Sequence, residues 1–330
     1  MIFFKIISTK LGNIFFLTSI VIGLMNTNNV MAQAWPDRPM KMIVPFAAGG
    51  SADILGRILS QTLGKNLGQN VIIENRGGAG GNLGAEVVAK SPADGYTILL
   101  ASGSMMTVNP FIYKKSGINY SKDLTYITTV ATVPMVIAVS PKLPVNNLAD
   151  LIALAKTKEL YFGSAGIGSQ IHMANENFLY AAGIHATHVP YKGENPALND
   201  LIAGQIDFMA GNFPATGGFS KSGQVKALAV TSSKRLKQLP DVPTVSEAAI
   251  PGFENTGWYA LAVPTGTPQA IIDKIYIATE KSFKSPALLA TLEENGLTPV
   301  MMKGKDVDSK IQAESAIWEK VIKARNIQTQ

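Results

Sequence analysis

The chain has no cysteine, which excludes disulfides, thiolate metal sites, cysteine nucleophiles and lipid attachment through cysteine. Histidine is scarce, with three copies at His172, His185 and His188. Charged residues make up only 16% of the 330 positions, and 30 Gly and 18 Pro are spread along the chain, which excludes a disordered or collagen-like polypeptide. The net charge of +6 is compatible with acidic partners. The basic residues are scattered without interleaved aromatics, so nucleic acid is not supported as a partner. Long apolar runs are missing after the first segment, so nothing there approaches the ~20 residues of a membrane span. What is present is a 46% hydrophobic chain long enough for two domains with a large core.

The first segment reads as an address. Lys5 and Lys10 stand without acids, Ile14 to Met25 form a short apolar run, and Ala32-Gln33-Ala34 places small residues at −3 and −1. This is the pattern of a secretory signal peptide over residues 1–34, cleaved after Ala34, and it points to the periplasm.

Strand and helix then alternate. Met40 to Phe46 reads as a strand, with a glycine turn from Ala47 to Ser51 and a helix carrying Leu55, Leu59 and Leu63. Strand Val71–Glu74, a glycine loop from Gly77 to Gly81, a helix and strand Tyr96–Ala101 follow. This order predicts βαβ units and a mostly parallel sheet. Val130 to Val139 is a long β-branched stretch broken by Pro134, and near residue 137 the alternation restarts. Strand Leu160–Phe162 leads through Gly163-Ser164-Ala165-Gly166-Ile167-Gly168-Ser169 into a helix from Gln170. Helix Pro196–Ala203, strands Ile206–Ala210, Val225–Val230 and Trp258–Val263, and helices Gln269–Lys284 and Asp306–Ala324 complete the pattern. The fold class is α/β, with ligands expected at the carboxyl ends of strands.

The glycine loops carry the candidate chemistry. Phe46, Ala47, Ala48, Gly49, Gly50, Ser51 and Asp53 lie between a strand end and a helix start. Unpaired N–H groups of a first helical turn, with the macrodipole behind them, suit a carboxylate or a phosphate. Gly163 to Ser169 repeats the arrangement and adds the Ser164 and Ser169 hydroxyls. The alternative is that both are ordinary βα turns with glycine for backbone reasons. Phosphate motifs fail: Gly163 to Gly168 lacks the P-loop lysine, and Leu83 stands where a third dinucleotide-loop glycine belongs. No G-x-S-x-G elbow and no metal spacing appear, since His185 and His188 on a strand face opposite sides. His172 stands in the first turn of its helix, facing the cleft or packed as a structural histidine, and Asp53 is a ligand contact or a helix cap. Ser102 ends a strand, Lys192 is an anion attractor or a solvated lysine, and Trp258 and Tyr259 read as core or hinge packing.

One family shares these stretches in order: Trp35 to Met40, Ile43 to Asp53, Glu74 to Asn82, Asp94 to Thr97, Gly163 to Gly166 with Gly168-Ser169, His188 to Gly193, Leu228 to Ser232 and Leu239 to Val245. The chain resembles the substrate-binding proteins of tripartite tricarboxylate transporters, the Bug receptors. The resemblance implies a two-lobed periplasmic binding protein fold of type II, the lobes being 35–136 with 257–330, and 137–256. It implies no cofactor, no catalysis, a small organic carboxylate as ligand, and delivery to a two-component integral membrane permease. Alternatives are a ligand-sensing subunit for a membrane sensor kinase, or a secreted α/β hydrolase or isomerase. The implied walls of the site are Phe46, Ala47, Ala48, Gly49, Gly50, Ser51 and Asp53 opposite Ser164, Ala165, Gly168 and Ser169, with Ser102 and Asn212 alongside. Gln170 and Ile171 are further positions where substrate choice is written. Many relatives carry an acid before the equivalent of Asn212, where this chain has Gly211. Loss of that acid leads to the expectation of purely anionic ligands.

Overall fold

The computed structural model describes residues 35–328. The signal segment and its cleavage site lie outside the described residues. Strands β1 (Met40–Val44), β2 (Val71–Asn75) and β3 (Thr97–Ser102) form one parallel group, with β1 in the middle. Met40, Met42, Ile43 and Val44 are buried, the run of apolar residues that a strand covered on both faces requires. Helix α1 (Ser51–Leu67) follows β1 and buries Leu55, Leu59 and Leu63 at four-residue spacing. It stops at Gly68, whose φ of 76° closes the helix in the left-handed region. Helix α2 (Asn82–Ala89) connects β2 to β3, completing the expected βαβ order.

Strand β4 runs without interruption from Leu124 to Val139, so Pro134 does not break it. Instead the proline marks a change of partner. Up to Pro134 the strand pairs with β9 (Thr256–Pro264), and from Met135 it pairs with β7 (Phe208–Asn212), then also with β8 (Lys226–Val230). Immediately beyond the proline, which has no N–H, the Thr231 hydroxyl accepts from Met135 N–H at 3.1 Å. The expectation of a mostly parallel sheet is therefore corrected: β4 and β9 run antiparallel through the middle, with order β2-β1-β3-β9-β4-β7, followed by Tyr161–Ser164 as β5 and Thr187–Pro190 as β6.

The second parallel group holds β5 (Tyr161–Ser164), β6 (Thr187–Pro190) and β7. Four helices belong to it: α3 (Leu148–Ala155), α4 (Gln170–Ala182), α5 (Glu194–Ala203) and α6 (Phe213–Lys221). Its core packs Met135, Ile137 and Val139 against Phe162, Phe178 and Phe208. The chain finishes with α7 (Gln269–Ser282), α8 (Pro286–Glu294), the two-residue strand β10 (Thr298–Pro299) on β4, and α9 (Gly304–Ala324). Helix α8 was absent from the sequence reading, although Ser285 caps it and Pro286 opens it. Trp258 ties β9 to α9 by donating to Glu314 Oε2 at 2.7 Å, the packing role expected of it. No helix among the described residues is long and apolar enough to cross a membrane.

Phe178 is fully buried in the second core, so Phe178→Ala should cost about 3–5 kcal/mol. Urea unfolding should show a lower midpoint with the slope preserved; an unchanged midpoint would contradict this account of the core.

Candidate functional site

Four helices start at one buried place. Ser51 opens α1, Ser169 caps α4, Glu194 opens α5 and Asn212 caps α6. Each of these four residues lines a small cavity of about 20 Å³, together with Phe46, Gly50, Ala52, Ala165, Gln170, Ile171 and Tyr259. That volume has room for about one water. A much larger open groove of about 1360 Å³ lies elsewhere, along Tyr113, Asp123, Tyr126, Tyr276 and Lys303. Neither Phe46 to Asp53 nor Gly163 to Ser169 lines that groove, whereas both line the small cavity.

Of the thirteen candidate ligand contacts, the structure brings Phe46, Gly50, Ser51, Ala165, Ser169 and Asn212 to the cavity. The other seven stand behind or outside it. Ala48 and Gly49 are exposed. Ala47 meets Gly193 so closely that a Cβ on that glycine would lie 2.8 Å from Ala47 N. Asp53 works as a brace: its carboxylate accepts from Gly49 N–H at 3.0 Å, Arg57 Nε at 2.9 Å and Asn75 Nδ2 at 3.0 Å. Burial acts to raise its pKa, but Arg57, Gly49 and Asn75 outweigh that and hold it below the usual carboxylate value. Ser102 donates to Gln170 Oε1 at 3.2 Å. Gln170 in turn donates from Nε2 to Asn212 Oδ1 at 3.1 Å and to the Tyr259 hydroxyl at 2.9 Å.

Ser164 and Gly168 belong to a second layer built on histidine. Ser164 Oγ lies 2.6 Å from His188 Nε2, and His172 Nδ1 accepts from Gly168 N–H at 3.1 Å. The two imidazoles stack at 4.0 Å between ring centroids, with Phe162 stacked on His188 at 4.9 Å. Thus His172 is a structural residue that holds the loop from beneath. Burial pushes the His188 pKa down to about 4, and burial plus its neighbour His188 push that of His172 well below the ordinary value. His185 precedes β6 and lies 3.4 Å from Arg325. No group of three or more metal-capable side chains comes together among the described residues. Lys192 is exposed and does not line the cavity.

The sequence reading missed two lining residues with chemistry. Tyr259, expected to be packing alone, presents its hydroxyl to Gln170; burial, then the charge of Glu194, hold its pKa well above the usual phenol value. Glu194 was not singled out, because an acid in the first turn of a helix reads as an ordinary dipole partner. It is 3% exposed, and its carboxylate accepts from Asn212 N–H on Oε1 at 2.6 Å, and on Oε2 from Ser51 N–H at 3.0 Å and Asn212 Nδ2 at 3.3 Å. Burial raises its pKa against the pull of these donors. At Gly211 a Cβ would collide with Thr216 Oγ1, so position 211 has no room for an acid and Glu194 brings one to Asn212 from another helix.

With that geometry in view, comparison with known proteins is decisive. The profile of the tripartite tricarboxylate transporter family receptors matches residues 55–327. The chain belongs to that family. It is 37% identical over 297 residues to Protein BugT of Bordetella pertussis, covering 89% of this chain and 91% of that one. The solved structure of the periplasmic binding protein BugD superposes with a TM-score of 0.85 at 34% identity, over 90% of this chain and 100% of that one. The R. palustris protein Rpa4515, solved with adipate, gives 0.86 at 35% identity, over 89% and 99%. The fold is the α/β fold of periplasmic binding proteins, and the family consists of solute receptors rather than enzymes.

Acid should loosen the site from behind. Both histidines are neutral in the fold and take up protons when unfolded, so their contribution is complete above the unfolded value of about 6.5 and is lost as pH falls, that of His188 toward about 4. For His188 alone that amounts to roughly 2–3 kcal/mol. A series of urea titrations between neutral and acid pH should show the fall, and His188→Asn should flatten it; equal slopes in both proteins would refute the assignment. Gly211→Asp should cost about 1–3 kcal/mol by overpacking, and Thr216→Ala should recover part of it in the same assay.

Proposed function

We propose that the chain is a periplasmic receptor that captures a small organic carboxylate and delivers it to a two-component integral membrane permease of the tripartite tricarboxylate type. The observation that carries this reading is the convergence of four helix N-termini, with the Ser51 and Ser169 hydroxyls, on one enclosed cavity. Backbone N–H groups fixed by helices bind an anion without reorganising, and exclusion of water strengthens each contact. The adipate held by the related structure is a ligand of this chemistry. The pattern of residues 1–34 supports export.

The lobes are residues 35–136 with 257–330, and 137–256. The change of partner in β4 at Pro134 and Met135, and the start of β9 at Thr256, support boundaries at these places. A ligand seated on loops from both lobes favours their closed arrangement by the difference in its contacts with the two states. Ser51 links them already: on α1, its hydroxyl accepts from Ala215 N–H of α6 at 3.1 Å.

Calorimetric titration of purified, ligand-stripped protein with di- and tricarboxylates, amino acids, aromatic acids and phosphate tests the reading. One saturable carboxylate, recovered chemically intact, is the expected result; binding of phosphate alone, or turnover of the ligand, would overturn it. Ser169→Ala removes a hydroxyl on the cavity wall and the cap of α4. It should weaken the bound acid by about tenfold and lower stability by about 1 kcal/mol.

A further inference from the structure

Glu194 poses a problem that the receptor reading alone does not answer. It is the one charged residue on the cavity wall, and no Lys, Arg or His is paired with it among the described residues. The wall opposite also offers no cation: Ser169, Gln170 and Ile171 stand there with Ala165. Buried charges in proteins are ordinarily paired or bound to metal, because an isolated one loses its hydration without return. Here three N–H donors stand in for part of that hydration. The donors around the carboxylate, the Ser51 hydroxyl among them, are all neutral, so no cation offsets its charge. A ligand that was only an anion would place its charge beside this carboxylate in a medium of low dielectric, where repulsion is strong.

We propose that Glu194 is a specificity residue that pairs with a protonated amine of the ligand, so that the receptor selects amino-acid-type carboxylates over their amine-free analogues. The ligand carboxylate then sits toward the loop between β5 and α4, where Ser169 Oγ and the α4 N-terminus lie, and the ammonium lies toward Asn212 and Glu194. Gln170, locked by Ser102, Asn212 and Tyr259, separates the two ends. The proposal rests on the receptor reading and sharpens its ligand class. It also explains why the acid sits on α5: the Thr216 side chain excludes one from position 211, and Glu194 reaches the same asparagine.

The test uses matched pairs on ligand-stripped protein: aspartate with succinate, glutamate with glutarate, and phenylalanine with 3-phenylpropionate. The amine-bearing member of the bound pair should bind at least about tenfold tighter, the size of a charge-assisted hydrogen bond. Glu194→Gln keeps the shape and should abolish that ratio. In the unaltered protein the ratio should shrink as pH falls, because burial raises the Glu194 pKa and its protonation removes the charge that holds the amine. Tyr259 is the other titratable group facing it and stays protonated throughout. Equal or tighter binding of the amine-free member overturns the proposal and leaves the receptor reading standing. So does a ratio untouched by Glu194→Gln, or, if that variant does not fold, a ratio independent of pH. Binding of no acid in any pair overturns the proposal, and the receptor reading is then decided by the wider panel of acids and phosphate.

Discussion

Unpaired N–H groups at helix N-termini need a partner when they are buried, and this requirement organises the molecule. The starts of α1, α4, α5 and α6 all face one enclosed cavity. Such a collection of aligned dipoles is a standing demand for negative charge. The carboxylate of Glu194 meets part of it through Ser51 and Asn212. The same contact joins α1 to α5 and α6, so the electrostatics of the site and the approach of the two groups of strands are one feature.

The sheet makes that convergence possible. Because β4 and β9 run antiparallel through the centre, the parallel groups on either side direct the carboxyl ends of β1, β5 and β7 toward the same region. Side chains behind the cavity wall act as braces. Asp53 holds Gly49 and Asn75 in place, and the stacked pair of His172 and His188 supports Gly168 and Ser164 from below. A binding wall made of main chain depends on such second-layer groups, since a backbone N–H is aimed only as well as the loop that carries it is held.

Much of this was readable in advance. Apolar spacing located α1, with Leu55, Leu59 and Leu63, and the glycine loops located the strand ends that meet at the site. Phe46, Gly50, Ser51, Ala165, Ser169 and Asn212, drawn from those loops and strand ends, line the cavity. Ala47, Asp53, Ser164 and Gly168 share those motifs but do not line it, and Ser102 reaches it only through Gln170, because a motif specifies a loop and leaves open which atoms of the loop point inward. Pro134, which suggests a break because proline removes a ladder hydrogen bond, falls where β4 changes partner, and the next N–H, that of Met135, is satisfied by the Thr231 hydroxyl.

The amino-acid order by itself determined the α/β alternation, the glycine loops at strand ends and the absence of cysteine, phosphate-loop and nucleophile chemistry. These are local properties, carried by side-chain period and by residues a few positions apart. Only the tertiary structure decided that Glu194, 143 positions from Ser51 and 18 from Asn212, accepts from both, and that Tyr259 turns its hydroxyl to Gln170 89 positions away. Burial and pairing across such separations depend on the crossing strands that bring distant helices together, and no local pattern encodes which of several first-turn acids will be enclosed there.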